Sequence, residues 1–307
     1  MKMYNILRQY SAIVGVLFFV VVLSVVCTYR WSTQTVAAQN NVQLKIKGLT
    51  LSPLRTELDI APGTSLDGVL TVTNSTKKPM TVSMNAEVFS VINQQYDYAF
   101  TEESNVVKWV TFNRPEVSLT AGKSEKVMYT IGVPLSAEPG GRYISLFAST
   151  DTGLSEGGVE SRQRIASLLY ITVTGDVSRD GHLVSLTSPW AVFSDKSNWS
   201  VALQNTGTTH FRSRYSAKVQ DLFGGKVANM TGDALILPGT VRAVSDKLPL
   251  PQWLGIYKVV YTIGLGDTPA AVKTRFMLFM PLWTIYVTIA AVIILILWLR
   301  RKRLNKH

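Results

Sequence analysis

Apolar and polar residues alternate one for one over long stretches of this chain. Leu66, Gly68, Leu70 and Val72 interleave with Asp67, Val69, Thr71 and Thr73. Met80, Val82, Met84, Ala86 and Val88 repeat the pattern, as do Val127, Tyr129, Ile131 and Val133. Leu54, Leu58 and Ile60 are set against Arg55, Glu57 and Asp59. A period of two puts successive side chains on opposite faces of a strand, so each segment reads as a strand with one dry and one wet face. Turn residues separate them: Ala61-Pro62-Gly63-Thr64, Asn74 to Pro79, Thr120 to Ser124, and Pro139-Gly140-Gly141. Dry faces must be covered, and two sheets stacked face to face cover each other. Further strands are expected at Val106–Phe112, Arg142–Ser149 and Arg164–Val173, with a Gly-rich polar loop at Asp151–Ser161. About seven strands with a turn every 8 to 12 residues is the immunoglobulin-like pattern, and it is assigned to residues 42–175.

A second unit is expected over 176–276. Its strands are His182–Leu186, Trp199–Gln204, Tyr215–Gln220, Lys226–Val227, Ala234–Leu237, Tyr257–Ile263 and Val272–Phe276, with a hairpin turn at Asp221 to Lys226. Pro238-Gly239-Thr240 repeats the Pro-Gly-Thr turn at 62–64. The fold class is therefore all-β: two tandem immunoglobulin-like sandwiches, with Trp190, Trp199 and Trp253 expected in core or inter-domain packing.

The two ends break the alternation. Ser11 to Val26 is almost wholly apolar, follows Lys2 and Arg8, and precedes Val36-Ala37-Ala38, where small residues suit a signal peptidase. Residues 1–38 are read as a signal sequence cut after Ala38, or else as an uncleaved anchor. Cys27 follows Val26, too bulky for a lipidation signal. Met277 to Leu299 is a run of 23 residues without charge, long enough for the roughly 30 Å hydrocarbon core. Trp283, Tyr286 and Trp298 stand near its ends, as interfacial aromatics do. The tail 300–307 begins Arg300-Arg301-Lys302-Arg303 and is expected on the cytoplasmic side, leaving the β domains extracytoplasmic on a single C-terminal membrane anchor. No LPxTG motif precedes the span.

Charge follows this division. Of the formal net +11, eight cations with no acid lie in residues 1–38 and 281–307, leaving about +3 for the middle. The middle has no basic stripe with interleaved aromatics, so no nucleic-acid partner is expected. The sole cysteine lies outside the sandwiches, so they contain neither a disulfide nor a cysteine metal site and must be held by core burial. His182 and His210 have no second ligand-type residue nearby in sequence, and no nucleophile-elbow, zinc-protease, phosphate-loop or calcium-loop spacing occurs. No catalytic residue, metal or cofactor is assigned, and an enzyme is not expected. Glu102-Glu103 reads as a solvated face. Asn74, Asn198 and Asn229 open Asn-x-Ser/Thr triplets of the kind that arise by chance. The chemistry-bearing segment is Gln94 to Phe100, where Tyr96, Tyr98 and Phe100 stand beside amides and Asp97. Flat rings next to hydrogen-bonding groups suit a sugar or a peptide, and they also suit capping the open end of a sandwich.

The runs SPLRTELDIAPGTSLDGVLTVTNSTKKPMTVSM (52–84) and VPLSAEPGGRYISLFAST (133–150) resemble the first domain of the WxL-interacting proteins of bacterial cell surfaces. The order of signal, two sandwiches, apolar span and basic tail is similar as well. The resemblance implies that the first domain attaches to peptidoglycan or to a partner surface protein and that the second contacts neighbouring proteins. The second unit here is shorter than that family's partner-binding domain. Two functions are thus carried forward. One is a membrane-anchored surface protein that binds a cell-wall polymer or another surface protein. The other is a chaperone-like assembly factor that holds pilus or surface-layer subunits by strand addition.

Overall fold

Alternating Val, Ile, Thr and aromatic residues favour extended, half-buried backbone. The computed structural model, which describes residues 48–154, 160–193 and 197–304, is built of strands up to residue 279. The signal or anchor expected over 1–38, the cleavage after Ala38 and Cys27 all lie outside the described residues, as does the stretch 155–159 of the Gly-rich segment.

Ten strands make the first sandwich: β1 (Leu49–Ser52), β2 (Arg55–Ile60), β3 (Ser65–Asn74), β4 (Met80–Val91), β5 (Tyr98–Thr101), β6 (Val110–Phe112), β7 (Glu116–Leu119), β8 (Ser124–Gly132), β9 (Gly140–Leu154) and β10 (Glu160–Val173). One sheet has the order β1-β3-β8-β6; the other runs β2-β10-β9-β4-β5, with β7 on the opening residues of β4. The chain changes sheet between β1 and β2 at the cis Ser52-Pro53 bond, after which β2 runs parallel to β10. The inward residues meet as expected: Leu70, Val72, Val82, Val127, Ile131, Ile144, Leu146 and Ile171 are buried in one cluster. The strand expected at Val106–Phe112 is instead a 3₁₀ turn, Asn105–Trp109, followed by β6. Ser104 starts that turn by accepting the Val106 N–H at 3.2 Å, the local bond that serine offers a helix start. The Gly-rich segment is shorter than expected as a loop, because strand extends to Leu154 and resumes at Glu160.

The second sandwich comprises β11 (Gly181–Thr187), β12 (Ala191–Val192), β13 (Asn198–Asn205), β14 (Phe211–Gln220), β15 (Lys226–Ile236), β16 (Val241–Lys247), β17 (Gly255–Leu265) and β18 (Thr268–Phe279). Its sheets are β11-β13-β16 and β12-β18-β17-β14-β15. The two pieces expected at 226–227 and 234–237 are one continuous strand, β15. Trp199 is core, but Trp190 and Trp253 are 76% and 65% exposed, which corrects their placement in packing.

The core of the second sandwich does not stop at its own boundary. Trp199, Leu203, Val219, Val259 and Tyr261 belong to one cluster with Phe89, Tyr96 and Tyr170 of the first. Phe89, Tyr143 and Tyr170 lie on the outer face of the larger first sheet, where Tyr143 pairs with Tyr170. That face is dry at one end because the second sandwich covers it.

A helix, α1 (Leu282–Leu304), lies outside the compact unit formed by residues 46–281 and is long and apolar enough to cross a membrane. The apolar run expected to span from Met277 instead splits. Met277 to Phe279 belong to β18 and pair with Tyr257 to Gly255. Pro281, which has no N–H to give a ladder, lies between strand and helix. Arg300 to Arg303 occupy the end of the helix.

Candidate partner-binding edge and the joint between sandwiches

The rings expected to meet a ligand lie at the joint. Tyr96 has φ 69°, the left-handed region that a bulky residue rarely adopts, at a cost of about 1–3 kcal/mol. Its surroundings compensate for this. The Tyr96 hydroxyl accepts the Leu237 N–H at 2.8 Å and lies 2.7 Å from Thr240 Oγ1, and the Arg242 guanidinium sits 4.3 Å from the ring centre. Next to it, the Ala243 N–H donates to the Gln94 carbonyl at 2.9 Å. Burial pushes the Tyr96 phenol above its ordinary pKa. Tyr98 is half-buried, edge-on to Phe89 at 5.3 Å, with its hydroxyl 3.3 Å from that of Tyr170. Phe100, 39% exposed, packs edge-on against Phe147. Of the three, Tyr96 thus fastens one sandwich to the other, and Phe100 has the most open face.

His210 faces the same joint from the second sandwich. Its Nδ1 is 3.4 Å from the Tyr143 hydroxyl, and its ring stacks edge-on to Tyr143 and tilted against Tyr170. Burial pushes its pKa down to about 4, so it is neutral at pH 7. Gly141 N–H donates to the Thr208 carbonyl at 3.0 Å, and Arg212 pairs with both Glu57 and Asp233 at the rim. A cleft of about 340 Å³ lies along this rim; its charged lining includes Glu57 and Arg212, paired across the joint, and Asp59, Arg179 and Asp267. His182 is exposed, and among the described residues no group of three His, Cys, Asp or Glu could hold a metal ion. Glu102 and Glu103 are exposed as expected.

Sequence reasoning missed an open stretch of backbone in the first sandwich. β9 and β10 stay paired with each other as far as Leu154↔Glu160, but their neighbours stop earlier. β4 reaches β9 only as far as Ser149, and β2 reaches back along β10 only to Leu168. Among the described residues no strand pairs with 150–154 on the β4 side or with 160–167 on the β2 side. The Leu168 N–H donates to the Leu54 carbonyl at 2.9 Å, so N–H groups of even-numbered residues point to the β2 side. Those of Ala166 and Arg164 therefore point out of the open edge. Beside the other edge, β4 leaves β9 at Ser83 to pair with β7, and a cleft of about 720 Å³ opens there. Its walls include Thr81, Ser83, Ser118, Thr120, Ser149 and Thr150, a lining rich in hydroxyls. The signal available in the sequence was Thr152 and Leu154, strand-compatible residues inside the stretch 151–161 that Gly157 and Gly158 marked as loop.

No protein-family model matches the chain, and no curated protein matches it. Among solved structures it is similar to a chaperone–tip adhesin complex of CFA/I fimbriae, with 11% identity, a TM-score of 0.40, and coverage of 74% of this chain and 98% of the other. It is similar to the class 5 fimbriae chaperone CfaA at 11% identity and TM-score 0.39, covering 75% of this chain and 99% of that one. A chaperone–tip subunit pre-assembly complex of the Csu pili of Acinetobacter baumannii matches at 14% identity and TM-score 0.34, covering 64% and 89%. At this identity the likeness concerns strand layout alone, and no role transfers with it.

Proposed function

We propose that the chain is an extracytoplasmic, membrane-anchored protein whose first sandwich holds an extended segment of another exported protein by strand addition along the β9–β10 hairpin. The observation that carries this reading is the hairpin that outruns its neighbours on both sides. Unpaired N–H and C=O groups in a row are a template for another strand. The hydroxyl-lined cleft supplies adaptable hydrogen-bonding groups beside one edge. Helix α1 supports anchoring, and the cations flanking both apolar runs support β domains outside and a tail inside. The joint supports a rigid holder, since its rings and ion pairs join the two sandwiches at several points.

The test places a photo-crosslinking residue at Gln163 in the full chain in its own membrane. Adducts to one exported polypeptide are expected, and they should vanish in Ala166→Pro, which removes an outward N–H, but persist in Ala166→Ser. Adducts indifferent to the proline would overturn strand addition. Pelleting of the full chain with isolated wall sacculi at moderate salt, unaffected by Ala166→Pro, would instead favour a cell-wall polymer as ligand.

A further inference from the structure

The two ends of the second sandwich differ in chemistry. The end that meets the first sandwich carries Thr208, Thr209 and Thr240, polar residues engaged in the joint. Strand register identifies the loops of the other end. Gly255, at the start of β17, is opposite Phe279, the last residue of β18; Val192 of β12 is beside the same Phe279; Gln220, closing β14, is opposite Lys258. The loops at this end carry Trp190, Phe193, Leu222, Phe223, Trp253 and Leu254, all exposed and Phe223 wholly so. An isolated exposed apolar residue is ordinary, but six large ones gathered on the loops at one end mark an interaction surface.

The loops are built to present them. Asp221 accepts the N–H groups of Phe223 at 2.9 Å and Gly225 at 2.7 Å, folding the turn so that Leu222 and Phe223 project. The Tyr257 hydroxyl donates to the Trp253 carbonyl at 2.8 Å, holding that loop against the strand. These groups are therefore fixed in an exposed position.

Covalent continuity says what covers them. β18 ends at Phe279 and the apolar helix begins at Leu282. Three residue steps extend at most about 11 Å. A helix that spans a bilayer therefore holds this end of the sandwich at the lipid headgroups. Tryptophan and phenylalanine with flanking lysine suit that zone, where a ring is apolar on one side and wet on the other. Lys226, Lys247 and Lys258 lie at this same end.

We infer that the loops 188–193, 221–225 and 251–254 enter the headgroup region of the bilayer and seat the second sandwich on it, an inference that rests on the anchoring read from helix α1. The seat would set how the first sandwich is held above the surface, which a single flexible tether would not.

The test uses the full chain in lipid nanodiscs with Cys27→Ser and one introduced cysteine carrying an environment-sensitive fluorophore. The positions are Phe223→Cys, Trp253→Cys, Leu135→Cys and Val292→Cys. Leu135, 83% exposed on the first sandwich, controls for the label's own affinity for lipid. The labels at 223 and 253 are expected to be quenched by lipids brominated near the headgroup and shielded several-fold from aqueous iodide, with 135 open to iodide and 292 quenched by deep bromines. Iodide quenching at 223 and 253 equal to that at 135, with 292 still lipid-quenched, would overturn the seat and leave the anchor standing. Shielding from iodide without lipid quenching would overturn it in favour of protein contact. Loss of lipid quenching at 292 would remove both.

Discussion

Tyr96→Phe removes one oxygen from the joint and leaves the ring in place. The Arg242 guanidinium 4.3 Å from the ring centre keeps its contact, and the buried apolar area is unchanged. What is lost is the acceptor for the Leu237 N–H, on a residue only 3% exposed, and the partner of Thr240 Oγ1. Thr240 retains a 2.8 Å bond to the Leu237 carbonyl, so the orphan is the amide. A buried donor without an acceptor costs about 1–3 kcal/mol, whereas the net value of a bond exchanged with water is nearer 1. The natural assay is hydrogen exchange of the Leu237 amide in the full chain. Faster exchange by about 5- to 150-fold is expected from that range, with the amides of β8 in the first core unchanged. Tyr96→Ala should go further and loosen Ala243 on the Gln94 carbonyl, because the ring that fills the joint is gone. Exchange at Leu237 within twofold of wild type in Tyr96→Phe would show that the hydroxyl does not satisfy it, and the account of the joint would fail.

Protonation of His210 should weaken the joint. Burial holds its folded pKa near 4, against about 6.5 when unfolded, so between these values the unfolded chain binds a proton that the folded chain refuses. Stability then falls as pH drops through 6.5 toward 4, by at most about 1.4 kcal/mol per pH unit. Melting temperatures of wild type and His210→Asn, compared between pH 6.5 and 5, should diverge, with the variant flatter; parallel curves would refute the assignment. Asn205 is fully buried, donates to the Thr209 and Ile236 carbonyls at 2.9 and 2.8 Å, and accepts the Gly207 N–H at 2.9 Å. Asn205→Ala should destabilise by about 2–3 kcal/mol in chemical denaturation, well above a surface substitution. Asn74 occupies the matching place at the end of β3, donating to the Lys78 carbonyl at 2.8 Å and accepting the Thr76 N–H at 2.9 Å. Asn74→Ala should therefore cost a similar amount, and a negligible effect at either position would sink the equivalence.

The strands with one dry face were legible because a period of two leaves few other conformations: Leu70 and Val72 against Val127 and Ile131 lie where alternation puts them. Tight turns were legible for the same local reason, Gly63, Gly122 and Gly239 all having φ near +70°. What alternation could not supply was partnership. Phe89 follows Val88, so the two point to opposite faces and the segment reads as apolar throughout; only the second sandwich explains why the outward residue is dry. The long, partly unpaired hairpin was hidden because a free edge is a statement about where neighbouring strands stop, and β2 stops at a point no local pattern marks. Hydropathy summed over Met277 to Leu299 could not divide strand from helix, since both bury apolar side chains; the ladder to β17 and Pro281 make that division. Asn74 looked like a chance triplet because its value lies in the carbonyls and amides brought to it by the fold.

The route of the chain through the second sandwich has a mechanical consequence. The chain enters at Gly181, beside Asn205 at the end facing the first sandwich, and leaves at Phe279 at the opposite end. Tension between a cargo gripped by the first sandwich and a helix fixed in a bilayer would therefore run lengthwise through the strands. β17 and β18, paired from Leu265↔Thr268 to Gly255↔Phe279, would be loaded in shear, so their many rungs would resist together, where a zipper would yield rung by rung. With the anchoring and strand addition proposed above, a domain threaded in this way would be a stiff tether that carries load from cargo to membrane while its fold stays intact.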